Sequence, residues 1–138
     1  MWRRGEQNTG SVTAFSVVIL LALFSVVGVV VDGGAALGAH QRTVDEVEEA
    51  ARAGAGALSV AGLRRGSLEL DDQQAISAAQ AFTVAAGHPG RAWVVGQTVF
   101  VQVDYRQPTS ILGIVGITSL PVSATASAVD VAGVTRGP

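Results

Sequence analysis

The sequence predicts an α+β protein: a long N-terminal helix whose first half is transmembrane, a second helix, and a small antiparallel sheet. Three observations carry that expectation. Ser11 to Val31 runs for 21 residues without an ionisable side chain. From Asp32 to about Ala61 the apolar residues fall at helical spacing. From Ala92 onward the spacing changes to the two-residue alternation of strands.

The apolar run comes first. At about 1.5 Å per residue it reaches across the roughly 30 Å hydrocarbon core of a bilayer. A soluble core helix of this composition would be apolar on every face, and a chain of 138 residues holds too little protein to bury it. Arg3 and Arg4 precede the run with Glu6, whereas Asp32, Asp45, Glu46, Glu48 and Glu49 follow it against Arg42 and Arg52. Basic residues set orientation, so a single-pass cell-membrane protein is expected, N-terminus cytoplasmic and C-terminal part extracytoplasmic. Trp2 either sits among the headgroups or is incidental. A cleaved secretory signal is the competing expectation. Gly33, Gly34, Ala35, Ala36 and Gly38 offer a cleavage site, although the run exceeds the roughly 7–15 residues of an ordinary signal core.

From Asp32 onward 107 residues remain, enough for one small domain. Seven arginines against ten acids there give no basic footprint, so nucleic acid is not an expected partner. The absence of cysteine removes disulfide staples and thiolate chemistry. Every basic side chain is arginine, which with the Ala, Gly and Val richness points to a GC-rich coding bias.

Residues 32 to 61 read as a helix continuing the span. Leu37, Val44, Val47, Ala51, Gly54 and Leu58 draw a narrow apolar stripe, and Arg42–Glu46 and Glu48–Arg52 stand at i,i+4 on other faces. Gly34 with Gly38, and Ala35 with Ala39, make small-xxx-small pairs that allow a second helix to come close. The stripe serves either the protein's own domain or sister helices. Gly54 and Gly56 each weaken a helix by about 1 kcal/mol relative to alanine, so packing compensates or the helix ends near them.

Gly62 to Gly66 reads as a turn. Asp71 with Gln74 forms a capping box opening a second helix, 72 to 86, whose expected apolar face is Ile76, Ala79, Phe82 and Ala86, and Gly87-His88-Pro89-Gly90 stops it. Ala92 to Val95 and Thr98 to Tyr105 then form a hairpin across Gly96-Gln97, a Gly-X pair suited to a type II′ turn. Val99, Val101, Val103 and Tyr105 share one face; Phe100, Gln102 and Asp104 share the other. A third strand follows from Pro121 to Val129, with Val122, Ala124, Ala126 and Ala128 on one side. Between strands two and three, Ile111 to Ile117 is too short to span a bilayer. It reads either as a small helix covering the sheet or as an exposed contact surface for a partner or membrane, presented by Ile111, Leu112, Ile114 and Val115.

Signals for chemistry are nearly absent. His40 and His88 have no second ligand at metal spacing and read as solvent-facing. No nucleophile elbow and no phosphate loop is legible. Glu69, Asp71 and Asp72 are better explained by capping and the helix dipole than by acid–base work. No catalytic, cofactor-binding or metal residue is therefore expected. Asp32 either marks the membrane boundary or meets a partner's base in an assembly.

With these residues in hand, the chain resembles the TadE/TadG-like proteins of Flp (tight-adherence) pilus systems, in the short form seen in actinobacteria. The resemblance rests on Arg3-Arg4 and on Gly10-Ser11-Val12-Thr13-Ala14-Phe15 leading into the span. It continues through Val31-Asp32-Gly33-Gly34, Ala39-His40-Gln41-Arg42, Ala50-Ala51-Arg52-Ala53-Gly54-Ala55 and the closing Val122-Ser123-Ala124-Thr125-Ala126. It implies a pseudopilin-like fold and a minor-pilin-like part in a Tad pilus or a related type II/IV secretion-type assembly. The implied partners are other pilus subunits, the inner-membrane assembly platform and membrane lipid, in a homo- or hetero-oligomer. Leader processing would fall between Gly10 and Ser11. Pilin-type leaders place a glutamate five residues after the processed glycine, where this chain has Phe15, and Glu6 follows Gly5 too closely to serve. An uncleaved TadG-like anchor thus stands beside the processed pseudopilin.

The expected organisation is a cytoplasmic leader at 1–10, a transmembrane helix at 11–31, a juxtamembrane helix at 32–61 and a small extracytoplasmic α+β domain at 62–138. In this reading Gly34, Gly38, Val44, Val47, Ala51 and Gly54 serve helix packing. Two rival functions are a secreted binding domain released by signal cleavage and an anchored enzyme or chaperone-like accessory protein.

Overall fold

The computed structural model describes residues 9–58, 60–66 and 69–129. The basic flank with Trp2, Gly5 and Glu6, and the C-terminal Gly/Pro tail, lie outside the described residues. The elements run α1 (Thr9–Ala55), α2 (Val60–Arg64), α3 (Asp72–Ala85), β1 (Arg91–Val95), β2 (Thr98–Pro108), a 3-10 turn (Leu112–Val115) and β3 (Ser119–Val129). Strand order is β1-β2-β3 in one antiparallel sheet, which makes the fold α+β.

The chain divides into two units. One takes α1 as far as Leu37 together with Gln107–Leu120; the other takes Gly38–Arg106 and the chain from Pro121. In the first unit the apolar helix is exposed almost throughout, Val12, Phe15, Leu20, Phe24 and Val30 among its outward residues. Its covered positions are Ser25, Gly28, Asp32, Gly33 and Ala36; all but Gly33 recur at three and four residues and so share one face. The Ser25 hydroxyl donates to the Leu21 carbonyl at 2.8 Å, satisfying itself within the helix.

The second unit owns the core. Val47, Ala50, Ala51 and Ala55 of α1 meet Ala75 and Ala79 of α3, Val99, Val101 and Val103 of β2, and Ala124 of β3. These side chains are small, and the backbones come correspondingly close. A Cβ at Gly54 would lie 2.9 Å from the Ala75 carbonyl oxygen, 2.9 Å from Val99 Cγ1 and 3.3 Å from Ala79 Cβ. That contact explains a glycine inside a helix despite its poor propensity.

The apolar stripe on α1 departs from the expected one at both ends. Val44, Val47, Ala51 and Gly54 do face the core, but Leu37 is exposed and Leu58 lies beyond the helix, in an isolated bridge to Leu70. The helix ends at Ala55 rather than near Ala61, with Gly56 N–H donating to the Arg52 carbonyl and Ala57 N–H to that of Gly54. Two glycines in three positions suffice to stop it. The expected turn at 62–66 is reduced to Arg65-Gly66, because residues 62 to 64 belong to α2.

Helix α3 opens on the expected N-cap, Asp71, but without the return arm of a capping box, because the Asp71 N–H donates to the Ala57 carbonyl. Asp71 accepts from the Gln74 backbone N–H at 3.1 Å, and the Gln74 side-chain amide donates to the same carboxylate at 3.1 Å. Its buried face is Ala75, Ala79 and Thr83 rather than the expected Ile76, Ala79, Phe82 and Ala86. The close approach at Gly54 leaves room for alanine and not for Phe82, which is turned outward.

The hairpin forms in the expected register, with Val95 opposite Thr98 and Trp93 opposite Phe100. Gly96 has φ +65°, and no described residue other than glycine has positive φ, the signature of a type II′ turn. Val99, Val101 and Val103 are wholly buried, while Trp93 and Phe100 stack on the opposite face with ring centroids 5.6 Å apart.

Candidate functional site

Asp32 is the first ionisable residue after the apolar run, and it is buried. Its Oδ1 accepts from Ser110 N–H at 2.8 Å, and its Oδ2 from Ile111 N–H at 2.9 Å and Leu112 N–H at 2.6 Å. Three consecutive amides are the orphan donors at the start of the 3-10 turn, and one carboxylate caps all three. These bonds, led by the one from Leu112, favour the charged form and hold the Asp32 carboxyl below the ordinary carboxylate range. Neither the boundary role nor the salt bridge to a partner anticipates this arrangement. Both oxygens are taken by the chain's own backbone.

One turn back along α1, Gly28 receives the other side of the same segment. A Cβ there would stand 2.9 Å from Leu112 Cδ2 and 3.2 Å from Ile111 Cγ2. The expected roles at Ile111 to Ile117 are thereby divided. Ile111 and Leu112 turn inward onto Gly28, whereas Ile114, Val115 and Ile117 stay exposed, Ile114 at 75%. The turn packs on the apolar helix through Ile111 and Leu112.

The glycines expected to serve helix packing also divide. Around Gly34 a Cβ would meet nothing within 4 Å, and at Gly38 only Arg42 Nη1 at 3.8 Å. Leu37 between them is 69% exposed. Among the described residues nothing covers this face of α1 at Gly34 and Leu37. Val44, Val47, Ala51 and Gly54, by contrast, are filled from within by α3 and β2. Gly10 and Ser11, the expected processing site, lie in the first turn of α1 and are exposed.

A polar group in the second unit escaped the sequence reading. Glu46 does not pair with Arg42; its Oε2 lies 2.8 Å from His88 Nδ1, and its Oε1 is buried without a partner. The His88 ring stacks on Tyr105 at 4.2 Å between centroids, and the Tyr105 and Thr43 hydroxyl oxygens lie 3.4 Å apart. His88 is therefore half-buried and engaged rather than solvent-facing. The residues involved are separated by up to 62 positions, a spacing with no local signal. Glu48 and Glu49 both reach Arg52, at 3.6 and 3.1 Å, on the exposed side of α1.

Among the described residues no three His, Cys, Asp or Glu side chains are grouped to hold a metal ion. The features that stand out belong instead to one helix: an exposed apolar run, an open small-residue face and a carboxylate that holds a distant loop. No curated protein and no solved structure matches the chain. Residues 10–57, which are α1 from Gly10 onward and the two residues after it, match the family model Tad, described as Flp pilus-assembly TadE/G-like.

Proposed function

We propose that the chain is a membrane-held, pseudopilin-like component of Flp pilus assembly that acts by helix packing, with no covalent step. One observation supports this above others. The stretch that matches the pilus-assembly family contains an apolar helix long enough to cross a membrane, and the described residues leave that helix almost entirely uncovered. Uncovered apolar surface of this extent is costly in water and neutral in lipid. The N-terminus is then cytoplasmic and the sheet-bearing part extracytoplasmic. The open face at Gly34, Leu37 and Gly38 is where a second helix approaches, and the partners are other subunits or the inner-membrane platform.

Release as a secreted domain by cleavage near Ala35 is the weaker reading. It would strip Asp32 from the amides of Ser110, Ile111 and Leu112, leaving three donors without their acceptor.

Gly34→Leu or Gly38→Leu is expected to abolish co-purification with pilus components while leaving membrane insertion intact, since a Cβ at Gly34 meets nothing within 4 Å and one at Gly38 only the end of the Arg42 side chain. Unchanged recovery of partners in both variants contradicts the helix-packing mechanism.

A further inference from the structure

We infer that the segment Ile111–Ile117 is a second membrane-contacting element, a wedge that enters the same leaflet as the C-terminal end of the apolar helix. The inference rests on the membrane-held reading above and adds a site to it. Its first support is depth. Ile111 and Leu112 lie against Gly28, which stands three residues inside the end of the apolar run, about 4.5 Å along the axis from Val31. A loop seated there shares the depth of the last turn of the span.

Its second support is the state of the backbone. Non-helical backbone survives at membrane depth only when its polar groups are satisfied within the protein. Here Ser110, Ile111 and Leu112 donate to Asp32, Ile114 to the Ile111 carbonyl, Gly116 to that of Gly113 and Ile117 to that of Leu112. The Thr109 hydroxyl closes the loop onto the Ile117 carbonyl. Asp32, the residue after the apolar run, is itself buried and fully engaged by these amides.

The third support is chemistry. From Gln107 to Val129 the sequence has no ionisable side chain, and the residues left outermost in the loop are Ile114, Val115 and Ile117. They extend the apolar surface of the helix they sit on. Lipid is the occupant this favours. The exposed side chains protrude and are branched, whereas the small-residue surface that suits a neighbouring helix is at Gly34 and Gly38.

The chain lacks cysteine, so single cysteines can carry an environment-sensitive nitrobenzoxadiazole dye without background. The full chain, labelled at Ile114→Cys, Phe24→Cys or Gln97→Cys, is reconstituted into phosphatidylcholine–phosphatidylglycerol vesicles containing lipids with nitroxides at known acyl depths. Ile114 is 75% exposed and Phe24 57%, so neither substitution disturbs packing. The expected result is blue-shifted emission from positions 114 and 24, largely lost to nitroxides, shallow ones acting best at 114, with position 97 unaffected. Quenching at 24 but not at 114 overturns the wedge and leaves the anchor standing. Blue-shifted but unquenched emission at 114 marks a protein cover and overturns the lipid assignment. No quenching at either position removes the membrane-held reading and the wedge with it.

Discussion

Gly54→Leu is expected to break the packed unit built on the C-terminal part of α1. The new side chain begins at a Cβ only 2.9 Å from a backbone oxygen of α3, which cannot move without shifting the helix, and 2.9 Å from a methyl of the wholly buried Val99. Overpacking of this kind costs about 1–3 kcal/mol or more. In a unit of this size that lowers the melting midpoint by roughly 10 °C or more. Gly54→Ala gains about 1 kcal/mol in helix propensity but meets the same carbonyl, so it too destabilises, by less. Thermal unfolding of the detergent-solubilised chain, followed by tryptophan fluorescence from the Trp93–Phe100 stack, measures both. A midpoint unchanged in Gly54→Leu contradicts the close approach of α1 to α3.

The second large effect lies at Asp32. Asp32→Ala leaves the amides of Ser110, Ile111 and Leu112 with no acceptor, and the loop loses its tie to α1. Protection of those three amides from hydrogen exchange is expected to fall by roughly tenfold or more. Asp32→Asn retains one acceptor oxygen but turns an amide N–H₂ toward donors, so it falls between the two. The pH dependence has a definite sign. The folded carboxyl is held below its ordinary range, so the contribution is complete above the unfolded value. It declines as the pH drops beneath that value and is gone below the lowered, folded one. Amide protection of Ser110 to Leu112 measured against pH follows that course in the parent chain and is flat in Asp32→Ala.

What could be read from the sequence was what neighbours in the chain decide. The hairpin at Gly96-Gln97, the alternation of Val99, Val101 and Val103, and the Asp71 cap with Gln74 are all set within a few residues, and each stands as expected. The face of α3 was not legible, because it depends on how near another helix comes. Gly54 fixes that distance from outside α3 and brings Ala75 and Ala79 against it, while Phe82 is turned outward. Asp32 was visible as an acid at the end of an apolar run, but its role is decided by amides 78 to 80 residues away. Glu46 offered Arg42 at ideal helical spacing and instead takes His88, brought from 42 positions further on and braced by Tyr105. The small-residue face was legible as composition alone. Only the fold separates Gly54, used internally, from Gly34, left open.

The most direct test of assembly through that open face is site-specific photo-crosslinking from Leu37, which lies between Gly34 and Gly38 and is 69% exposed. A photoreactive residue at this position, activated in membranes of the native host, is predicted to give a light-dependent adduct with a pilus-assembly component or a second copy of the chain. Gly34→Leu should abolish that adduct. Adducts with lipid alone, or recovery of the chain from the culture medium as a soluble monomer, would contradict the account.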